Sequence, residues 1–165
     1  MQAIAQVYGL QVGTQGPLRV DGVVGAIVAS VQRNFGQPIR TAASASGRAA
    51  WALPETEAIP IALTLNELLT NAVKHSDAAA LEGAAEIACE LSADEGGIRV
   101  AISNPARLAE GFDFGRIPGG VSGLGLVRAL LPRRHASLGI EQEGARVVAT
   151  MILRPPVLAK VEEGA

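Results

Sequence analysis

The chain has 165 residues, a formal net charge of -2, 48% hydrophobic residues, one Cys and two His. That length and apolar content fit a single domain with a real core and exclude disorder, a disulfide framework and a Cys-rich zinc site. The balanced charge gives no basic footprint for nucleic acid, and no apolar run approaches the roughly 18 residues of a membrane span.

The N-terminus shows no basic stretch ahead of an apolar one, so no signal peptide is expected. Ile4, Val7, Tyr8 and Leu10 stand at helical spacing before a break at Gly13 to Pro17, which reads as a short helix separated by a linker. A second helix is expected from Asp21, as N-cap, to about Phe35, with Val23, Ile27, Val28 and Val31 on one face and Gly36 as its stop. Residues 39–53, rich in Ala and Ser with a Ser46-Gly47 turn signal, read as two short strands joined in a hairpin. Pro54 opens a long helical stretch to about His75, and Pro60 is expected to interrupt it, leaving a short turn before the main helix.

Residues 85–91 and 98–102 read as strands joined through Gly96-Gly97. Residues 104–122 carry Pro and Gly clusters with no clear period, and a loop that long inside a compact domain is usually functional or mobile. A helix is expected over 124–131, then a hairpin with arms 137–142 and 145–153 around Glu143-Gly144. Arg154-Pro155-Pro156 ends it, and 157–165 is expected to be a frayed tail. With only 3% aromatics, the core must be built from Ala, Val, Ile and Leu, and Cys89 reads as a small core residue.

Two segments carry chemistry. The first is the helix over 63–75. Taking about 100° per residue and Glu67 as zero, Asn71 lies near 40°, Lys74 near -20°, Thr64 near 60° and His75 near 80°, whereas Leu65, Leu68, Leu69 and Ala72 fall between roughly 100° and 200°. One face is apolar, and the opposite one gathers a carboxylate, an amide and an ammonium. That stripe fits an ordinary solvated face. It equally fits Glu67 as a base or water-orienting group, Asn71 as a ligand to a hard cation such as Mg²⁺, and Lys74 as a phosphate partner. The second segment is Gly119-Gly120-Val121-Ser122-Gly123-Leu124-Gly125-Leu126, which leads into a helix. Glycines allow close backbone approach, and a helix N-terminus presents free N–H groups to phosphate. A flexible loop with a helix cap would look the same. The segment is neither a Walker A loop, since no Gly-Lys-Ser/Thr follows, nor a dinucleotide fingerprint, since no strand precedes it.

In this order, the two segments resemble the ATP-binding catalytic domain of sensor histidine kinases, within the GHKL ATPases. Residues 65–75 are similar to the N box, 120–128 to the second glycine box, and 104–122 to the ATP lid. The resemblance implies a two-layer α/β sandwich of the Bergerat type, with a mostly antiparallel mixed sheet and helices on one face. It implies that Mg-ATP binds, with Glu67 assisting the γ-phosphate chemistry and Asn71 holding Mg²⁺. Lys74 and His75 would lie near the phosphates, and Gly119, Gly120, Gly123, Leu124 and Gly125 would hold phosphate oxygens. With so few aromatics, adenine recognition would rest on hydrogen bonds and aliphatic walls. The first glycine box departs from the family's Asp-x-Gly-x-Gly: Ser103 stands where the adenine-reading Asp is expected, and Pro105 and Arg107 replace glycines, so a Ser103 or Asn104 oxygen would accept from the base without charge assistance. The opening helix resembles the end of a dimerisation helix. The implied organisation is a remnant of that helix over 1–13, an ATP-binding domain over 18–156 and a tail over 157–165. A cytoplasmic kinase fragment is expected, partnered by an upstream phosphoacceptor domain and a response regulator. A protein-interaction module that has lost nucleotide use, or an anti-sigma-type serine kinase, fits the same motifs.

Overall fold

The computed structural model describes residues 18–45, 50–121, 123–131 and 133–161. The expected opening helix, the Ser46-Gly47 turn and the last four residues lie outside them. In chain order the elements are β1 (Leu18–Arg19), α1 (Val20–Phe35), β2 (Ile39–Ala45), β3 (Trp51–Leu53), α2 (Glu55–Lys74), α3 (Ala78–Glu82), β4 (Ile87–Asp94) and β5 (Gly97–Pro105). A 3-10 turn (Phe114–Arg116), α4 (Gly123–Leu130), β6 (Ala136–Glu143), β7 (Arg146–Leu153) and β8 (Ala159–Lys160) follow. The main sheet has the order β2-β4-β5-β7-β6, parallel only between β2 and β4. A small antiparallel sheet, β1-β3-β8, closes one end.

Alternation along the strands sorts the two faces of the main sheet. Val100, Ile102 and Asn104 of β5 and Ala149, Met151 and Leu153 of β7 are buried, while their neighbours Arg99, Ala101, Ser103, Thr150 and Ile152 are less so. The buried face carries the helices: α2 packs on β5 and is flanked by α1 and α4. Helix α1 buries Val20, Val23, Val24, Ile27, Val28 and Val31, and Gly36 ends it at φ 60°, a conformation that suits a residue without Cβ. No helix among the described residues is long and apolar enough to cross a membrane.

Four local expectations change. The N-cap of α1 is Arg19, and Asp21 sits in the first turn, where its carboxylate accepts from Arg19 Nε at 3.1 Å and from the Gly22 amide at 3.0 Å. The Arg19 hydrogen bond holds the Asp21 carboxyl below the usual range, and an anion there also suits the helix dipole. Helix α2 runs unbroken through Pro60. Only the Thr56 carbonyl loses its partner by this, and Thr56 is exposed, so water can supply a donor. Strands β2 and β3 do not form a hairpin: β2 pairs with β4, and β3 joins the small sheet. The segment after Pro156 is not frayed at its start, because Val157 and Leu158 are buried and β8 pairs with β3. The packed domain therefore extends to Lys160.

Candidate functional site: a cavity under a loop

On α2, Leu68, Asn71, Ala72 and His75 follow the i, i+3, i+4, i+7 spacing and line one side of a cavity of about 470 Å³. The sheet forms its floor through Ile102, Asn104, Val147, Ala149 and Ile140. Ala106, Arg107, Leu108, Ala109 and Phe112 of the following loop cover it, and Leu124 of α4 closes one end. Volume and lining fit a small organic ligand: mostly apolar walls with a few polar groups to orient it.

Asn104 is the polar group on the floor and is only 5% exposed. Its Nδ2 donates to Ser76 Oγ at 3.2 Å, and the Ser76 hydroxyl donates to the Ala72 carbonyl at 2.5 Å. The loop is tied down at its start by Gln142 of β6. Gln142 Oε1 accepts from the Leu108 amide at 2.8 Å, and the two N–H groups of its Nε2 are shared among the carbonyls of Ala106, Gly144 and Arg146, at 2.9–3.1 Å. Further along, Phe114 is buried, and the 3-10 turn is capped by the Asp113 carboxylate, which accepts from the Gly115 amide at 2.9 Å. The loop then folds onto α4. The Gly120 amide donates to the Gly125 carbonyl at 2.8 Å, and a Cβ on Gly125 would meet Gly120 N at 3.2 Å. Gly123 opens α4 at φ 58°.

Sequence comparison matches residues 29–149 to the histidine kinase-like ATPase domain family. The chain belongs to that family. Solved structures agree on the fold. The histidine kinase domain of the blue-light activated histidine kinase from Erythrobacter litoralis EL346 superposes with a TM-score of 0.66 at 20% identity, covering 93% of this chain and 70% of that one. The catalytic domain of histidine kinase ThkA gives 0.60 at 14% identity, covering 86% and 97%. Histidine kinase AdeS of Acinetobacter baumannii gives 0.56 at 14% identity, covering 94% and 75%. No curated protein sequence matches the chain significantly.

In this ATPase domain the residues singled out from sequence separate into two groups. Asn71, His75, Asn104 and Leu124 all line the cavity. Glu67 is half-buried one turn earlier on α2 and is not part of the lining. Lys74 turns towards α1, with Nζ 6.0 Å from the centroid of the Phe35 ring. Ser103 is placed on the far face of the sheet, where its Oγ accepts from Arg146 Nη2 at 2.9 Å. Strand alternation is the reason: residues one apart on β5 point to opposite faces, so Asn104 and not Ser103 reaches the cavity. Gly119 and Gly120 pack against Ala129 and Gly125 of α4, and Gly123 and Gly125 lie in its first turn. His135 occupies an exposed tight turn at φ 68°, its carbonyl accepting from the Arg154 amide at 2.9 Å, away from the cavity.

Residues that sequence reasoning passed over include Phe112, Ser76 and Gln142. Phe112 puts an aromatic ring on a cavity wall that was expected to be mainly aliphatic. Two Phe residues, 112 and 114, in a loop otherwise rich in Gly, Pro and charge were the available signal. Ser76 and Gln142 act through contacts across 28 and 34 residues of chain, which no local pattern announces. Among the described residues no group of three or more His, Cys, Asp or Glu side chains could by itself hold a metal ion. The amide oxygen of Asn71, with the Glu67 carboxylate one turn away, suits Mg²⁺, which keeps most of its shell from water and phosphate.

Proposed function

We propose that this ATPase domain binds Mg-ATP in the cavity under the loop and is the catalytic domain of a sensor histidine kinase. It would pass the γ-phosphate to a histidine in an upstream dimerisation domain, and a response regulator would then receive it. The observation that carries this reading is the joint lining of one cavity by Asn71 and His75 of α2, Asn104 of β5 and Leu124 at the start of α4.

The adenine would enter the apolar end between Leu68, Ala72, Ile102 and Val147, with Asn104 Oδ1 accepting from its amino group. The triphosphate would run towards Asn71 and His75 and the first turn of α4, where backbone N–H groups at Gly123, Leu124 and Gly125 offer donors to its oxygens. Asn71 would supply one oxygen to Mg²⁺, which when bound neutralises phosphate charge. Transfer forms a bond from a ring nitrogen of the acceptor histidine to the γ-phosphorus as the bond to the bridging oxygen breaks and ADP leaves. Glu67 would orient the incoming imidazole. Such a site works by positioning and charge neutralisation.

Calorimetry with a non-hydrolysable ATP analogue tests this. Saturable binding strengthened by Mg²⁺ is expected, and Asn71→Ala should remove the Mg²⁺-dependent part. No binding up to about 1 mM analogue by folded protein would refute the reading.

A second reading is favoured by the run after Asn104. Pro105 is locked into β5 opposite Arg146, and its carbonyl accepts from the Asp77 amide at 2.8 Å, so the chain there lacks the freedom of glycines. On this reading the domain docks a protein partner without nucleotide. A nucleotide requirement for partner binding counts against it.

A further inference from the structure

An asparagine at the base-reading position is ambiguous in a way a carboxylate is not. A carboxylate presents only acceptors, whereas an amide turned over presents a donor in place of an acceptor. Which group faces the cavity decides whether an amino or an oxo substituent is accepted.

Hydrogen bonds around Asn104 resolve this. The Ala72 carbonyl can only accept, and the Ser76 hydroxyl has one proton. That proton goes to Ala72 O at 2.5 Å. Ser76 Oγ can then only accept from Asn104, so the atom facing it at 3.2 Å must be Nδ2. Turning the amide over would set Oδ1 against Ser76 lone pairs, acceptor against acceptor, at a site only 5% exposed. Oδ1 is thereby left as the acceptor on the cavity floor, and no described residue donates to it. The chain Ala72 carbonyl, Ser76 hydroxyl, Asn104 amide thus carries a direction from the α2 backbone into the cavity.

We propose that Ser76 is a specificity-determining positioning residue: by fixing the orientation of the Asn104 amide it restricts the cavity to purine nucleotides with a 6-amino group and rejects 6-oxo purines. This rests on the nucleotide reading of the cavity. Removing the Ser76 hydroxyl frees the amide to rotate, so a 6-oxo purine should gain affinity while a 6-amino purine loses a little. A residue that merely supported the fold would weaken both alike.

The test is calorimetric titration of ADP and of inosine diphosphate, both with Mg²⁺, into wild type, Ser76→Ala and Ser76→Thr. These two ligands differ only at the 6-position and its adjacent ring nitrogen. Wild type is expected to prefer ADP by at least about tenfold, since an acceptor facing an acceptor leaves both unpaired. Ser76→Ala should bring that ratio down several-fold towards one, and Ser76→Thr, which keeps the hydroxyl, should restore it. Thermal melts confirm that each variant is folded. An unchanged ratio in Ser76→Ala, with ADP still bound, overturns the proposal and leaves the nucleotide reading standing. Wild type that binds neither ligand overturns both.

Discussion

Gly97 opens β5, the strand that carries Asn104, and sits at φ 151°. A Cβ there would lie 2.2 Å from the Leu153 carbonyl oxygen of β7 and 3.2 Å from its carbon. Both obstacles are backbone within a paired sheet, so no side-chain rotation relieves them. Gly97→Ala therefore combines a glycine-only backbone conformation, about 1–3 kcal/mol, with displacement of packed atoms, another 1–3 kcal/mol or so. The expected loss is about 2–6 kcal/mol, which lowers Tm by at least about 4 °C for a domain of this size. Gly96→Ala is the control: its Cβ would meet only the flexible Asp94 carboxylate, at 3.2 Å, and should cost under about 1 kcal/mol. Urea and thermal unfolding of both variants measure this. A Gly97→Ala protein within about 0.5 kcal/mol of wild type would show that β5 and β7 do not approach as described.

Gly22 and Gly25 lie in α1 with nothing within 4 Å of the Cβ that an alanine would add, so Gly→Ala at either should stabilise by about 0.5–1 kcal/mol, read from urea midpoints. Gln142→Ala should leave global stability nearly intact but speed hydrogen exchange at the Leu108 amide about tenfold, since one hydrogen bond holds that amide; unchanged protection would refute the tether. Burial, with the neighbouring Glu90 charge, pushes the Cys89 thiol up to about 11. Iodoacetamide at about pH 8 should therefore leave Cys89 unmodified in folded protein and alkylate it in denaturant, and equal rates in the two states would contradict its place in the core.

Much of the fold was readable because it depends on local periodicity. The apolar stripe of α1 and its Gly36 stop, the β4–β5 pair and the terminal hairpin all followed from spacing and turn residues. Strand pairing between distant segments was not. Nothing near residues 39–53 reveals that β2 adds parallel to β4 while β3 leaves for a sheet completed by residues 159–160. At the cavity, the helical wheel set Asn71 and His75 on the polar side of α2, yet the wall joins them to Leu68 and Ala72 of the apolar side, and Lys74, adjacent to His75 in sequence, turned to the Phe35 ring. Within the loop, composition did not say that Phe114 enters the core while Phe112 lines the cavity.

Sequence alone determined the family, the polar and apolar faces of α2 and the glycine-rich entry to α4, because these are properties of neighbours along the chain. Tertiary structure decided which residue faces the cavity. Ser103 and Asn104 are adjacent and both polar, but the pleat sends one to Arg146 and the other to the cavity floor. It also decided the direction of the Asn104 amide, because that depends on a hydroxyl at the end of α2 whose own proton is committed to the helix backbone.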